Sequence, residues 1–490
     1  MHSFSLTRRK LIEAMFYGAG ATVLSACGGS SSTSTPLNPG DPDLPPLPPG
    51  ASEPLAAELP LMPGPLADIG PLMESDVDGI LVPEGFGIRR VARHLENPVS
   101  GLPDPLGLTG YNWHVFPDGG AVFPVEEDGG WVYVSNSETP INGGVGALRF
   151  DAEGRVTRAY SILRNTRTNC AGGPTPWGTW LSCEEVSDGL VYECHPLGTP
   201  SQAQVRPALG VFRHEAAAVD WQTRTVYLTE DRGDGRFYRF RSFGTVTSMT
   251  GKPSLDLDNG VLEVLEVEGF ENGGYQEDAA QARRVNRVRW VPVIDPHRPQ
   301  ETVRPEVESV TGVGAPGTRF RGGEGLWIQE LPEGLRPPVL GASNPLRSVA
   351  FFACKGDNRV LALDVDNDLL EVVFDNDQLI GVGEPFDDVD NLVISPAGDV
   401  VIAEDGDLMR LMVMVPNQPA KILLQVPGGG SELTGPAFTA DGSRLYFSSQ
   451  RGRTPLLTAS GVTYELTIPE AFRRRATPVP TVMAQIHRPG

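Results

Sequence analysis

The sequence predicts an all-β protein built as a β-propeller. Short runs rich in β-branched and aromatic residues are separated by turns of Gly, Asp and Pro, and stretches with amphipathic helical spacing are almost absent. A looser unit also recurs, in which an apolar run, a short turn, a second apolar run and a polar or acidic end follow one another, as in residues 392–405 and 437–449. Repeats of this kind are typical of propeller blades. The same strand spacing leaves a pair of β-sandwich domains as the alternative.

The N-terminus predicts an export signal over residues 1–27. Arg8 and Arg9 form a twin arginine, and the small and apolar stretch that follows is too short to cross a bilayer. The Leu-Ser-Ala-Cys run that ends at Cys27 resembles a lipoprotein box, in which the cysteine becomes the lipidated first residue of the mature chain. An ordinary cleaved signal with a chance cysteine is the alternative. We therefore expect a protein exported by the twin-arginine route to the periplasm or cell envelope, with a lipid anchor at Cys27 as its membrane contact.

The rest of the chain divides into a tether and one large domain. Residues 28–65 are rich in Ser and then in Pro, a composition that cannot bury apolar surface and is typical of a flexible to semi-extended linker. Residues 66–490 are more than an average domain needs, but they suit one large all-β domain. We expect this domain to be a monomer.

The charge balance limits the class of partner. The chain has 62 acidic and 40 basic residues and a net charge of −22, which makes nucleic acid an unsuitable partner. Surplus carboxylates mostly form a solvated surface, but they also supply the oxygen ligands that calcium prefers. The composition therefore permits a calcium site without requiring one.

Two of the five cysteines suggest a disulfide. Cys183 and Cys194 flank a turn at residues 187–189 almost symmetrically, and an oxidising compartment would allow them to bond across a hairpin. A register slip of one residue would instead place the two side chains on opposite faces of the sheet. Cys354 is interpreted as a small buried apolar residue.

The candidate metal ligands follow the ends of predicted strands. Cys170 lies in a glycine-rich turn, and the β-type run after it ends in the paired carboxylates of Glu184 and Glu185, so a soft ligand and hard oxygen ligands can meet around a metal. A buried thiol or a disulfide partner is the alternative for Cys170. In a propeller, acidic motifs that close inner strands converge on the central channel although they are far apart in sequence. These motifs contain Asn136 and Glu138, His214 and Glu215, Glu230 and Asp231, Glu324, Asp390 and Asn391, and Glu404 and Asp405.

These motifs resemble the PhoX family of alkaline phosphatases, which are periplasmic, metal-dependent β-propeller enzymes. The run at residues 169–185 is similar to the Asn-Cys-x-Gly-Gly-x-Thr-Pro-Trp-Gly-Thr-Trp-Leu-x-Cys-Glu-Glu signature of the family, and residues 214–217, 227–231, 390–391, 404–406 and 435–442 match further family motifs. The resemblance implies a propeller of six blades with an iron and calcium cluster. It implies iron ligands at Cys170, Glu215 and Glu324, and calcium or mixed-cluster ligands at Asp390, Asn391 and Glu404.

Two departures from the family pattern concern the site. The family has a histidine where this chain has Ser137, and it places an arginine two residues before the glutamate matched by Glu324, where this chain has Gly322. Arg321 stands one residue earlier, and a shift of one residue in a strand turns a side chain to the other face unless a bulge corrects it. Arg321 is therefore the candidate catalytic residue that would hold the phosphate, and the alternative is that this clamp is missing.

The resemblance implies hydrolysis of phosphate monoesters at the metal cluster, with a small phosphorylated molecule as the substrate. A propeller that retains the metal site but acts on another ester, such as a phosphodiester or a lactone, is one alternative. A lipoprotein propeller that binds calcium without catalysis is the other. Iron together with calcium would favour catalysis, because a thiolate prefers a transition metal and carboxylates suit calcium.

Overall fold

The structure is a computed structural model that describes residues 59–275, 284–375, 388–416, 420–452 and 460–473. The predicted signal with Cys27, and the predicted linker as far as residue 58, lie outside the described residues. Within the predicted linker, Leu59 is buried, and its N–H donates to Glu371 Oε2 at 2.9 Å. None of the helices that are described has the length and apolar composition to cross a membrane.

Short elements precede the first complete blade. They are β1 (Leu72–Glu74), β2 (Leu81–Pro83), β3 (Gly87–Arg93), β4 (Glu96–Asn97) and β5 (Leu102–Pro103). Short 3-10 helices occur at Pro65–Asp68, Pro200–Gln202, Pro207–Leu209, Glu333–Leu335, Lys355–Asp357 and Glu470–Phe472.

The first three blades are antiparallel sheets whose strands follow one another in sequence. Blade 1 contains β6 (Pro117–Val125), β7 (Gly130–Ser137), β8 (Gly143–Phe150) and β9 (Val156–Thr166). Blade 2 contains β10 (Asn169–Pro174), β11 (Trp180–Glu184), β12 (Val191–Cys194) and β13 (Gln204–Val205). Blade 3 contains β14 (His214–Asp220), β15 (Thr225–Glu230), β16 (Phe237–Ser242) and β19 (Gly260–Val267), with the hairpin β17 (Thr245–Thr247) and β18 (Pro253–Leu255) inserted before β19.

A connector and three further blades complete the described fold. β20 (Asn286–Pro292) pairs with the edges of blades 3 and 4, and the helix α1 (Gln300–Thr311) follows it. Blade 4 contains β21 (Gly323–Glu330), β22 (Ser348–Cys354), β23 (Arg359–Asp364) and β24 (Leu369–Asp375). Blade 5 contains β25 (Val389–Ile394), β26 (Val400–Glu404), β27 (Arg410–Met414) and β28 (Lys421–Gln425), and β2 and β1 extend it. Blade 6 contains β29 (Leu433–Phe438), β30 (Arg444–Ser449), β31 (Val462–Thr467) and β3.

The apolar core lies between neighbouring blades. Strands such as β22 and β26 are buried along their whole length, because both faces of these sheets pack against another blade. Each of six clusters of buried side chains joins two adjacent blades, and one of them joins blade 6 back to blade 1. The innermost strands β6, β10, β14, β21, β25 and β29 contact one another in ring order. The predicted all-β propeller is confirmed.

The ring is closed by pairing the two ends of the domain. β3, from the N-terminal part of the domain, pairs antiparallel with β31, from its C-terminal part, with Gly87 opposite Thr467. Backbone hydrogen bonds between distant parts of the chain thus hold blade 6 together, and they cover an edge of its sheet.

Cys183 and Cys194 do not form a disulfide, which was one of the two interpretations that the sequence allowed. In the β11 and β12 pair, Cys183 lies opposite Val191, and Cys194 lies opposite Trp180. The two thiols are free and belong to different core clusters on opposite faces of blade 2. The disulfide alternative is wrong because the register of the hairpin does not place Cys183 opposite Cys194, although the two residues flank the turn almost symmetrically in the sequence. Cys354 is buried in the core, as its sequence context indicated.

Candidate metal centre

The same distortion occurs in the innermost strand of every blade. Each of these strands has one extra residue relative to its neighbour, which is a β-bulge. The first bulge residue is Asp118 in β6, Cys170 in β10, Glu215 in β14, Glu324 in β21, Asp390 in β25 and Gly435 in β29. A bulge re-aims a side chain that would otherwise follow the pleat. Five equivalent positions around the propeller axis therefore carry a carboxylate or a thiol.

The second bulge residues are mostly small. They are Gly119, Ala171, Ala216, Gly325, Asn391 and Pro436, and they line a narrow cavity between the inner strands. A Cβ atom on Gly119 would lie only 2.4 Å from the Cα atom of Ala171, and one on Gly325 would lie 2.3 Å from the backbone N of Leu392. Small residues are thus required here because the inner strands approach one another closely.

The acidic side chains and the thiol form a continuous arc. Four groups of three residues each have ligand atoms within 4.8 Å of one another. The groups are Asp118, Glu138 and Cys170; Cys170, Glu185 and Glu215; Glu215, Glu324 and Asp390; and Asp390, Asp405 and Glu432. Neighbouring groups share Cys170, Glu215 or Asp390, so the arc passes from blade 1 through blade 5 to the start of blade 6. Except for Glu185, which is half-buried, these side chains are buried.

Cys170 and Glu215 form the contact at the centre of this arc. The Sγ atom of Cys170 lies 2.8 Å from Glu215 Oε1, and both residues are fully buried. Asn136 supports the cysteine from blade 1, because its side-chain amide donates to the carbonyl oxygens of Cys170 and Ala171 at 3.0 and 2.7 Å. The Trp180 indole N–H in turn donates to Asn136 Oδ1 at 2.9 Å. These bonds fix the bulge that aims the thiol at Glu215.

Burial and negative neighbours act together on Glu324. Its burial raises the pKa of its carboxyl group well above the ordinary value, and the charges of Asp231 and Asp390, followed by that of Glu215, act in the same direction. The positive charge of Lys355 opposes this shift. Carboxylates packed at this density are stabilised in their charged form by a cation.

Two protein cations lie at the blade 4 to blade 6 end of the arc. Lys355 Nζ lies 3.0 Å from Asp390 Oδ2 and also forms an ion pair with Asp405. Arg451 Nη2 lies 3.0 Å from Glu432 Oε1 and 3.9 Å from Asp405 Oδ1. The other end of the arc is bridged by a neutral group, since Gln450 Nε2 donates to Asp118 Oδ2 and Glu138 Oε2 at 2.8 and 2.6 Å.

The structure places Cys170, Glu215, Glu324 and Asp390 within this arc and gives Asn391 a different position. Asn391 Nδ2 donates to Asp390 Oδ1, and Asn391 Oδ1 accepts a bond from the Gly435 N–H, each at 2.7 Å. Its amide therefore joins the bulges of blades 5 and 6 and orients Asp390. In this arrangement Asn391 positions a candidate ligand.

Glu404 does not belong to the grouped ligand atoms. Its carboxylate accepts two bonds from the Arg410 guanidinium, at 2.7 Å from Nε and 2.6 Å from Nη2, and both side chains are buried. The strand-end motif does reach the arc, but through the next residue, Asp405. The structure thus pairs Glu404 with an arginine of the adjacent strand β27, and Glu404 as a metal ligand stays a prediction.

Arg321 lies at the edge of the site and faces outward. Its side chain is 52% exposed, and within the described part of the chain it forms an ion pair with Asp357, at 3.6 Å from Nη1. The bulge of β21 begins after Gly323 and therefore does not correct the position of Arg321. The cation that contacts the arc from this blade is Lys355.

Sequence reasoning missed several members of the arc. Asp118 and Glu432 received no role, and Glu138, Glu185 and Asp405 were candidates from their motifs but were not among the ligands that the family resemblance implied. A signal for Asp118 exists, because the candidate ligands of blades 1 to 4 are each followed by Gly or Ala, which the narrow cavity requires. Glu432 has no such signal, since it precedes β29 and lies outside its bulge.

The donor set fits metal ions. Carboxylate oxygens are the ligands that calcium prefers, and a thiolate favours a transition metal such as iron or zinc. A thiol at the centre of an arc of carboxylates therefore suits a mixed set of cations, with a softer ion near Cys170 and harder ions towards either end. Glu230, by contrast, is neutralised by Arg304 of α1, at 2.9 Å, and is not a member of the arc.

Comparison with known proteins identifies a family for the part of the chain that holds the centre of the arc. Residues 119–333 match the family model described as alkaline phosphatase PhoX. This segment contains Cys170, Glu215 and Glu324. A search of curated proteins finds no match.

Solved structures show the shared fold. A structure of Pseudomonas fluorescens PhoX in complex with vanadate, a transition-state analogue, matches with a TM-score of 0.59 and 16% identity, over 84% of this chain and 98% of that chain. A gluconolactonase from Xanthomonas campestris gives a TM-score of 0.38 and 11% identity, over 85% of this chain and 99% of that chain. The calcium-binding protein regucalcin from Agrobacterium tumefaciens gives 0.39 and 13%, over 74% of this chain and 93% of that chain. The last two likenesses are too weak to support an argument about this protein. Residues 119–333 therefore match the PhoX family model, and the chain shares the propeller fold of the Pseudomonas fluorescens protein.

Proposed function

We propose that this protein hydrolyses phosphate monoesters at a metal centre held by the arc of carboxylates around Cys170. The observation that carries the proposal is the contact of Cys170 with Glu215 at 2.8 Å, inside a series of ligand groups that share their members. This arrangement gathers nine candidate ligand residues around one end of the inner strands. The match of this segment to the PhoX family model supports a phosphatase, and the vanadate complex of the Pseudomonas fluorescens protein supports a small phosphorylated substrate.

In this proposal Cys170, Glu185, Glu215 and Glu324 hold iron, and the carboxylates towards blades 1 and 5 hold calcium. Bound metal ions would stabilise the negative charge that develops on the phosphoryl oxygens and on the oxygen of the departing alcohol. The division follows ligand softness, since a thiolate prefers a transition metal and carboxylates prefer calcium.

The protein's own residues hold this geometry in place. Asn136 fixes the backbone at Cys170, Asn391 orients Asp390, and Gln450 joins Asp118 to Glu138. The close packing of the inner strands leaves no room for a Cβ atom at Gly119 or Gly325, and so keeps the bulges that present the ligands in position. No nucleophile from the protein is required.

We also propose that the protein acts outside the cytoplasm as a lipoprotein anchored at Cys27. The support is the twin arginine at Arg8 and Arg9 and the Leu-Ser-Ala-Cys run before the Ser- and Pro-rich segment. Labelling with a radioactive fatty acid would test the anchor, because a Cys27→Ser form should remain unlabelled.

The first test measures metal content and hydrolysis on the same sample. Protein exported in its native host should contain iron and calcium, and it should hydrolyse an artificial phosphomonoester much faster than a Cys170→Ala form. A phosphodiester and a lactone should react slowly in the same assay. Hydrolysis of either one in preference to the monoester would overturn the proposed substrate class. Calcium alone, without hydrolysis of any ester, would contradict catalysis and indicate a binding propeller.

A further inference from the structure

The arc is a poor environment for an anionic substrate unless a cation faces the phosphoryl group. Substrate phosphate oxygens must approach a surface that already holds eight carboxylates and a thiol. Bound metal ions offset part of this charge, and phosphoryl sites commonly add an Arg or Lys clamp of the protein itself. Arg321 was the candidate for this role, but its side chain is 52% exposed and faces Asp357.

Lys355 is a basic side chain that contacts the arc at Asp390, the residue that two of the ligand groups share. Its ammonium lies 3.0 Å from Asp390, a residue shared between the group of Glu215 and Glu324 and the group of Asp405 and Glu432. The same ammonium also forms an ion pair with Asp405. Lys355 therefore acts electrostatically on both groups.

The backbone around Lys355 is fixed to both neighbouring bulges. Its N–H donates to the carbonyl oxygen of Gly322, at 2.8 Å, just before the bulge of β21. In the same 3-10 turn, Asn358 Oδ1 accepts a bond from the Val389 N–H at 3.0 Å, just before the bulge of β25. The lysine is thus held between the two strands that supply Glu324 and Asp390.

Exposure favours Lys355 over the second cation, Arg451. The Lys355 side chain is 18% exposed to solvent, whereas the Arg451 side chain is 5% exposed. Asp390 and Asp405, to which Lys355 bonds, are almost fully buried. The Lys355 side chain consequently lies partly at the surface, while its ammonium bonds to the buried arc.

Resting on the proposed phosphatase function, we infer that Lys355 is a substrate-binding residue that contacts the phosphoryl oxygens of the phosphate ester. Its pairs with Asp390 and Asp405 orient the ammonium when no substrate is bound. Arg451 and Glu432 remain a structural ion pair behind it.

The test compares Lys355→Met with Lys355→Arg and with a matched control, Lys421→Met. Lys421 begins β28 at the outer part of blade 5 and is not a member of the arc, so its loss removes the same charge elsewhere. The metal-loaded proteins are measured for metal content, for kcat and KM on the artificial monoester, and for binding of inorganic phosphate and vanadate by calorimetry. A charge-assisted bond to the anion predicts that Lys355→Met weakens phosphate binding about tenfold or more. Metal content should stay unchanged, Lys355→Arg should restore part of the binding, and Lys421→Met should remain within about twofold of the natural protein.

Three results would overturn the inference. The first is phosphate binding by Lys355→Met within about twofold of the natural protein. The second is a loss that occurs in an Arg321→Met form instead. The third is uptake of an additional metal ion by Lys355→Met, which would show that the ammonium replaces a metal ion. If the natural protein binds phosphate through Lys355 but hydrolyses no monoester, the proposed function fails and the binding role stands.

Discussion

Cys170 Sγ and Glu215 Oε1 lie 2.8 Å apart, although 45 residues separate them in the sequence. Bulges in β10 and β14 bring them together from adjacent blades. Replacing Cys170 with Ser should therefore lower the content of the transition metal to less than about half, because a hydroxyl is a much weaker ligand for a soft ion than a thiolate. Calcium content should change less, since its ligands are the carboxylates.

The control for this change is Cys183→Ser in the same blade. Cys183 is equally buried, but it belongs to the apolar cluster between blades 2 and 3. The Cys183→Ser variant should have a free energy of unfolding lower by about 1 to 3 kcal/mol, because it buries a hydroxyl group, while its metal content remains normal. Elemental analysis and urea unfolding separate the two effects. Equal metal loss in both variants would contradict a ligand role for Cys170.

Glu404 and Asp405 are adjacent in sequence, but we expect opposite effects on stability and calcium binding when each is replaced by its amide, Gln or Asn. Glu404→Gln removes the charged partner of buried Arg410 and should destabilise the fold by about 3 kcal/mol, with little change in metal content. Asp405→Asn removes a member of the arc and should weaken calcium binding more than it weakens the fold. Calcium titration and urea unfolding of both proteins test this. A loss of calcium in Glu404→Gln alone would restore Glu404 as a ligand.

The sequence was sufficient for the fold class because strand periodicity and turn residues are local properties. It also named Cys170, Glu215, Glu324 and Asp390, which the structure brings together, through motifs that family resemblance made specific. Their role as metal ligands stays a prediction. Two relationships could not be derived from the sequence. The choice between Glu404 and Asp405 depends on Arg410 in another strand, and the register of Cys183 and Cys194 depends on how β11 and β12 pair. Such relationships are set by tertiary packing and leave no local signal.

Gly435 shows why the sixth bulge carries no ligand. Its φ angle is 58°, and a Cβ atom there would lie 2.4 Å from the backbone carbonyl oxygen of Asp118. Gly435→Ala should destabilise the protein by about 3 kcal/mol or more, from the left-handed backbone and the clash together. Because the clash displaces the backbone at Asp118, metal content should fall as well.

Gly430→Ala is the matched control for this substitution. Gly430 has a φ angle of 75°, but a Cβ atom there would meet no heavy atom within 4 Å. The Gly430→Ala variant should be destabilised only by the backbone strain, about 1 to 2 kcal/mol, and its metal content should be unchanged. Similar unfolding free energies and metal contents for the two variants would show that the close approach to Asp118 does not matter.

Asp220 and Arg347 predict a pH-dependent contribution to stability that is remote from the metal centre. Arg347 Nη1 and Nη2 each donate to the Asp220 carboxylate at 2.9 Å, which joins blade 3 to the segment before β22. Burial alone would raise the pKa of Asp220, but the bonds from Arg347 and Thr223 outweigh it, so the pKa lies below the ordinary value. The stabilisation is therefore fully present above about pH 4 and is lost as the pH falls through the lowered pKa.

Asp220→Asn should accordingly lose about 3 kcal/mol at pH 7, because it leaves a buried arginine without one of its charged partners. The difference from the natural protein should shrink as the pH falls below 4, since protonation then removes the same charge from the natural protein. Asp366→Asn, which alters a more exposed partner of Arg347, should cost no more than about 1 kcal/mol at pH 7. Urea unfolding of the three proteins across this range measures both effects. A loss for Asp220→Asn that stays constant with pH would mean that shape and hydrogen bonding, and not the ionised carboxylate, stabilise the contact between the blades.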